Sequence, residues 1–215
     1  MKKTVLIIGA GPGLGLGIAK NFGRQNFRVV LVARNQSHLD DLIAKLQAEG
    51  IEAYSEKANV ADKNSLQEAF GHIKSKFETV DVMIYNAGIT APANLNNTSR
   101  IDLESHFQVD VSGAYQCIQM AIDKQLNLGT KTIMMTGGDL GITPSADFLP
   151  LSMDKAALRS MAQALHQSLA EENIFVGLVT VSGLVKSGTH FDPEKVGQAY
   201  LQMYQSQTDW EITYK

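Results

Sequence analysis

Residues Thr4-Val5-Leu6-Ile7-Ile8 run directly into Gly9-Ala10-Gly11-Pro12-Gly13-Leu14-Gly15, after which Ile18, Ala19 and Phe22 open a helical repeat. An apolar strand, a glycine turn and a helix in that order form a β-turn-α unit. Such a turn lets backbone N–H groups and the positive end of the helix dipole reach a pyrophosphate with no Cβ between them, so the ligand it suits is a dinucleotide. The feature specifies what binds and leaves the reaction open.

The rest of the chain repeats the unit. Apolar, β-rich runs recur at Val5–Ile8, Arg28–Ala33, Ile51–Ala58, Val80–Tyr85, Lys131–Thr136, Ile174–Val181 and Trp210–Tyr214. Helical patterns fill the intervals at Leu14–Gln25, Ser37–Glu49, Lys63–Phe77, Ser99–Leu126, Leu151–Glu172 and Pro193–Gln207, the last opened by the start signal Asp192-Pro193. Alternation with strands apolar on both faces predicts an α/β protein: a three-layer Rossmann fold whose doubly wound, mostly parallel, seven-stranded sheet is covered by helices on both sides. With 215 residues, 44% of them hydrophobic, and no repeat or linker, one dinucleotide-binding domain over 1–215 is expected.

Charge and cysteine content narrow the partners. A net charge of −3 and a pI near 5.9 give no basic field for nucleic acid, and the apolar runs fall far short of a membrane span. Cys117 is the lone cysteine, and Met1-Lys2-Lys3 leads into a short strand rather than the apolar region of a signal peptide. A cytoplasmic protein without a bound metal is expected.

The spacing Gly9-x-x-x-Gly13-x-Gly15 differs from the ordinary GxGxxG while keeping its strand-turn-helix setting, and Gly11-x-Gly13-x-Gly15-x-Gly17 offers overlapping registers. It resembles the TGxxxGxG fingerprint of the short-chain dehydrogenase/reductase family, with Ile8 in place of the threonine. Asn86-Ala87-Gly88 follows the fourth strand where that family carries its NAG motif, so the resemblance covers nearly the whole chain. It implies cofactor contacts from Gly9, Gly11, Gly13, Leu14 and Gly15, from Asn59 and Val60 beside the adenine, and from Asn86, Ala87 and Gly88. Val32-Ala33-Arg34-Asn35 ends the second strand with no carboxylate for a ribose 2′-OH. Arg34 instead offers a guanidinium to a 2′-phosphate, which favours NADP(H) over NAD(H). After the sixth strand the family's Pro-Gly appears as Ser182-Gly183, adding Gly183 to the cofactor set, and the short interval to Asp192 leaves little substrate lid.

In the family a tyrosine, and a lysine four residues later, perform proton exchange on one helix face. Here that segment reads Leu151-Ser152-Met153-Asp154-Lys155, and Ala156-Ala157-Leu158-Arg159-Ser160-Met161 looks like the family's helix. Leu151 therefore replaces the tyrosine, and Lys155 keeps its second role on the nicotinamide ribose. The family's serine falls at Gly138, and its Asn-Val-x-Gly reads Asp110-Val111-Ser112-Gly113. Lys155 and Asp110 are the candidate catalytic residues. Thr136, Asp139, Ser145, Ser152, Tyr85, Tyr115 and His106 also carry usable protons, but none comes with a motif. Asp139 is the least arbitrary of them and would need a raised pKa.

Two functions fit this pattern. One is an NADP(H)-dependent oxidoreductase acting on a carbonyl, an alcohol or a related unsaturated small molecule, with a non-standard active site. The other is an inactive NADP(H)-binding protein serving as a sensor or partner subunit. The resemblance also implies a homodimer or homotetramer, through the fourth and fifth helices or the last helix and strand.

Overall fold

Strands β1 (Thr4–Ile8), β2 (Arg28–Ala33), β4 (Val82–Tyr85) and β6 (Phe175–Val181) are almost entirely apolar, because both faces of each must be covered. With β3 (Ala53–Lys57), β5 (Thr132–Gly138) and β7 (Glu211–Tyr214) they form one seven-stranded sheet in the order β3-β2-β1-β4-β5-β6-β7. Every pairing is parallel, so the expected "mostly parallel" sheet is parallel throughout. The computed structural model describes residues 2–215; Met1, part of the run read as too brief for a signal peptide, lies outside them.

Strand periodicity sorts the side chains into two cores. Leu6, Ile8, Met83, Tyr85 and Ile133 face a layer built with helices α3 (Lys63–Lys76), α5 (Gly113–Ile122) and α6 (Leu149–Leu169). Val5, Ile7, Val29, Leu31 and Ile84 face the opposite layer, built with α1 (Leu14–Arg24), α2 (Gln36–Ala48) and α7 (Pro193–Ser206). Two-residue alternation along β1 thus feeds both layers at once. In the second layer α1 and α7 cross closely, since a Cβ on Gly17 would stand 2.1 Å from the Pro193 carbonyl oxygen and one on Gly197 2.7 Å from the Gly17 carbonyl.

The helix expected over Ser99–Leu126 runs unbroken from Arg100 to Ile122 but is bulged in its middle. α4 (Arg100–Phe107), opened by a Ser99/Asp102 capping box, runs into a π-turn at Gln108–Ser112 before α5, and α5 ends at Ile122. A side chain from the sheet accounts for the turn: the buried Tyr85 hydroxyl donates to the Val109 carbonyl, diverting it from the helical ladder. Other boundaries move as well. β3 is shorter than Ile51–Ala58, and α6 starts two residues before Leu151, with Pro150 in its first turn where a missing N–H is harmless. No helix among the described residues is long and apolar enough to cross a membrane.

Candidate cofactor and active site

β1 and β4 lie side by side at the centre of the sheet, and the chain leaves their C-terminal ends in opposite directions, opening a crevice. At its floor Gly9 has φ +88°, and a Cβ there would stand 2.2 Å from the Ala87 nitrogen. Gly9 is therefore a glycine because two backbones meet. Gly11 and Gly13 differ: nothing lies within 4 Å of a Cβ placed on either. Their bareness serves no internal contact and leaves open space in front of α1, whose N-cap, Gly13, provides no side-chain cap. Of the first-turn N–H groups of α1, that of Leu16 donates to the Gly11 carbonyl at 3.0 Å, while those of Leu14 and Gly15 are left for an anion.

The crevice is a cleft of about 380 Å³, lined by Gly9–Pro12 of the turn, Val32 and Ala33 at the end of β2, Arg34, Asn35 and His38 beyond it, Ala58 and Val60 beyond β3, Asn86–Ile89 beyond β4, and Val109. Of the residues singled out in the sequence, the cleft gathers Gly9, Gly11, Arg34, Val60, Asn86, Ala87 and Gly88. Arg34 is exposed, with no ion pair or hydrogen bond to its guanidinium among the described residues. Asn35 instead caps α2 by accepting from the His38 N–H at 3.3 Å.

Asn59 stands outside the lining, exposed, its Oδ1 accepting from the Ala61 N–H two residues on at 3.2 Å. Gly13, Leu14 and Gly15 flank the cleft as the start of α1. Gly183 also stands outside the lining, and a Cβ there would stand 2.3 Å from the Phe191 ring, so packing alone already requires a glycine. The segment after it closes on itself through the Lys186 N–H to the Phe191 carbonyl at 3.0 Å.

A polar chain crosses the ends of the central strands. Asn86 Nδ2 donates to the Gly9 carbonyl at 2.9 Å, Asn86 Oδ1 accepts from the Thr136 hydroxyl at 2.9 Å, and the Tyr200 hydroxyl lies 2.7 Å from the same Thr136 oxygen. Lys155, on α6, donates through Nζ to the Thr136 carbonyl at 2.7 Å. The chain therefore links the glycine turn to Lys155. Burial pulls the Lys155 ammonium's pKa down, while Asp110 and Asp154 oppose that shift.

Leu151, one turn before Lys155, is buried. Gly138 ends β5 in extended backbone, and a Cβ there would make ordinary contact, 3.5 Å from the Lys155 Cγ. A side chain at 138 is sterically admissible. Asp110 is fully buried in the π-turn; its Oδ1 accepts from the Ile89 N–H at 2.8 Å, and burial raises its pKa. Gly113, three residues on, is a glycine because a Cβ would stand 2.7 Å from the Tyr85 hydroxyl oxygen.

The other proton carriers scatter. Asp139 and Tyr115 are exposed, Ser152 Oγ bonds the Phe148 carbonyl within its own helix at 2.8 Å, and burial drives the Tyr85 phenol far above its ordinary pKa. Sequence reasoning missed Asp154. This carboxyl is fully buried on α6, neither oxygen has a hydrogen-bond partner, and its pKa is pushed up to about 7 by burial first and by the Asp110 charge second, against Lys155. An aspartate inside an otherwise apolar helical stripe was the available signal.

Comparison with known proteins agrees with this geometry. Residues 3–194 match the family model described as short chain dehydrogenase. Similar proteins include a 3-oxoacyl-[acyl-carrier-protein] reductase of Staphylococcus aureus, 24% identical over 88% of this chain and 77% of the relative. A diacetyl reductase of Staphylococcus epidermidis is 28% identical over 82% of this chain and 69% of its own. Among solved structures, a variant of actinorhodin polyketide ketoreductase with NADPH superposes with a TM-score of 0.90 at 18% identity, covering 99% of this chain and 95% of the other. An alcohol dehydrogenase from the archaeon Thermococcus sibiricus, complexed with 5-hydroxy-NADP, gives 0.85 at 19% identity, covering 99% and 96%. From its first strand to the start of its last helix, this chain belongs to the short-chain dehydrogenase family.

Proposed function

We propose that the chain binds NADP(H) in this cleft and acts as an oxidoreductase on a carbonyl, an alcohol or a related unsaturated small molecule. The observation that carries the reading is the open space at Gly11 and Gly13 before the uncapped end of α1, with Arg34 unpaired on the same cleft. In this reading Gly9, Gly11, Gly13, Leu14 and Gly15 hold the pyrophosphate, Arg34 the 2′-phosphate, and Asn59 and Val60 flank the adenine. Asn86, Ala87, Gly88, Lys155 and Gly183 serve the nicotinamide half. The nucleotides that accompany the two structural neighbours, NADPH and 5-hydroxy-NADP, support the phosphorylated form.

The bound cofactor supplies the hydride. The protein's share is to hold the nucleotide, exclude water and manage a proton, and Lys155 and Asp110 are the residues we assign to that end. Replacing Arg34 with Asp should weaken NADPH binding by roughly tenfold or more, the worth of one charge-assisted bidentate contact, and leave NADH nearly unchanged. Equal losses for the two nucleotides would remove the NADP(H) preference.

A second reading, a nucleotide-binding sensor or partner subunit without turnover, is favoured by Leu151 and Gly138 standing where the family has its tyrosine and serine. The short Gly183–Asp192 segment, closed on itself at Lys186 and Phe191 and leaving little substrate lid, adds to it. The double variant Leu151→Tyr, Gly138→Ser separates the readings, since Gly138 has room for a side chain. Substrate-dependent NADPH oxidation by the natural chain supports the oxidoreductase; oxidation arising only in the double variant supports the sensor. We further propose a cytoplasmic homodimer or homotetramer acting without nucleic acid, membrane or metal. Exposed Ile101, Phe107, Tyr115 and Met153 on the outer faces of α4, α5 and α6 are the surface that supports assembly, which light scattering tests.

A further inference from the structure

Tyr200 is the odd residue of the layer built with α1, α2 and α7. It is fully buried there among apolar side chains, where a phenylalanine would fill the same space and bring no hydroxyl that must be satisfied. Among the described residues His106 Nδ1, Asp110 Oδ2 and both carboxyl oxygens of Asp154 are buried without a hydrogen-bond partner, whereas the Tyr200 hydroxyl lies 2.7 Å from Thr136 Oγ1. The register of the sheet explains the meeting. Ile7, Ile84 and Met134 are paired side by side on β1, β4 and β5, and all three face that layer. Two residues further along each strand the same side of the sheet is reached by Gly9, Asn86 and Thr136. They form a lateral row across the strand ends, with Tyr200 of α7 at its far end.

Only one arrangement of protons closes this row. The Gly9 carbonyl can only accept, so the Asn86 amide turns Nδ2 toward it, at 2.9 Å, and Oδ1 toward Thr136; the flipped amide would set two carbonyl oxygens against each other. Asn86 Oδ1 can likewise only accept, so the Thr136 hydroxyl donates its one proton there, at 2.9 Å. The Thr136 oxygen is then left to accept, and Tyr200 is the donor. Burial pushes the Tyr200 phenol up, so it keeps the proton that it donates. Donation thus runs one way, from α7 through Thr136 to Asn86, and from Asn86 to the glycine turn. Asn86 and Gly9 line the cleft; Tyr200 and Thr136 stand behind it.

We propose that Tyr200 is a positioning residue of the cleft, acting through Thr136 to hold the Asn86 amide with Oδ1 inward and Nδ2 toward the glycine turn. Without the Tyr200 proton, the Thr136 hydroxyl loses the donor that fixes its rotation, and the Asn86 amide loses its single orientation. The Gly9 carbonyl, at the floor of the cleft where φ is +88°, then loses the side chain that holds it. The consequence for nucleotide binding rests on the reading of this cleft as an NADP(H) site; the orientation of Asn86 does not. Because the row serves the part of the cleft on which phosphorylated and unphosphorylated nucleotides agree, Tyr200 affects both alike, in contrast to Arg34.

Side-chain amide NMR of the nucleotide-free protein reads the orientation, with the Asn86 signals assigned by their loss in Asn86→Asp, and NADPH and NADH titrations of the same samples read the consequence. Tyr200→Phe removes one oxygen. It should shift the Asn86 Nδ2 protons, speed their exchange with water, and weaken NADPH and NADH by the same factor, roughly threefold to tenfold, the worth of one hydrogen bond. Thr136→Val should weaken both nucleotides at least as much, Thr136→Ser should restore them, and Tyr200→Phe added to Thr136→Val should cost no further affinity, since Tyr200 acts only through the Thr136 hydroxyl. Unmoved Asn86 signals in Tyr200→Phe, unchanged affinity beside moved signals, or additive losses in the double variant would overturn the proposal and leave the hydroxyl a packing role. A loss confined to NADPH overturns it too, because that places the effect at the 2′-phosphate. If Thr136→Val fails to fold, Tyr200→Phe and its amide signals decide alone. If the natural chain binds neither nucleotide while the Asn86 signals still move, the positioning stands and the NADP(H) reading falls.

Discussion

The two sides of the cleft are built by different physics. On the β1–α1 side backbones touch, no charge is buried, and each glycine is either filled by a neighbour, as Gly9 is by Ala87, or left bare before a helix end, as Gly11 and Gly13 are. On the α4–α6 side the fold encloses Asp110, Asp154 and Lys155 and leaves acceptor atoms unpartnered. The first side is a rigid receptor whose form follows from sterics. The second holds ionisable groups out of water, and that burial raises the Asp110 and Asp154 carboxyls and lowers the Lys155 ammonium.

The largest break in this contrast comes from Gly9→Ala. A Cβ 2.2 Å from the Ala87 nitrogen, at φ +88°, forces backbone against backbone, so a loss of about 3 kcal/mol or more in urea unfolding is expected. A change under about 1 kcal/mol would show that the β1 and β4 ends are not rigidly apposed.

The second test separates the sides by pH. The folded-state pKa of Asp154, about 7, lies above the unfolded carboxyl value, so the folded protein binds the extra proton between roughly pH 4 and 7. That contribution to stability is fully present below about pH 4 and is lost as pH rises through 7. The natural chain should give up a few kcal/mol over this window relative to Asp154→Asn, which cannot titrate there. Parallel stability curves for the two proteins would place the Asp154 carboxyl in water.

Gly11→Ala is the counterpart of Gly9→Ala. With no atom within 4 Å of the added Cβ, stability should hold within about 0.5 kcal/mol, while NADPH affinity falls roughly tenfold because the methyl occupies the approach to the α1 N–H groups. Lost stability with unchanged affinity would give Gly11 an internal role.

The smallest effect belongs to an ion pair away from both sides. Glu52, between Arg28 at 2.8 Å and Lys2 at 2.9 Å, has its pKa lowered to about 2 by those cations. Its stabilisation is present above the unfolded value and fades as pH falls through about 2, and because the group is partly solvated Glu52→Gln should cost less than about 1 kcal/mol.

The β1–α1 side was legible in the sequence because its rules are local: an apolar strand, glycines at fixed offsets, a helix start. Arg34 was legible for the same reason, lying directly after a strand end. The α4–α6 side was not. Tyr85 sits fourteen residues before Ser99, and its hydroxyl bonds the Val109 carbonyl where the helix read from Ser99 to Leu126 bulges into a π-turn. Asp154 reads as a lone aspartate in an apolar helical stripe, with nothing local to show that it is fully buried, and the packing of Phe191 against Gly183 has no local signal either. These features depend on contacts between segments distant in sequence, which no window of neighbouring residues contains.

The central claim, that the cleft is an NADP(H) site, is tested most directly by titrating the natural chain with NADPH, NADP, NADH and NAD while following thermal unfolding. A ligand at about a hundred times its dissociation constant adds about 2.7 kcal/mol of stability. The account predicts saturable stabilisation by NADPH and NADP that clearly exceeds that by NADH and NAD. An unfolding temperature unmoved by all four nucleotides would contradict it.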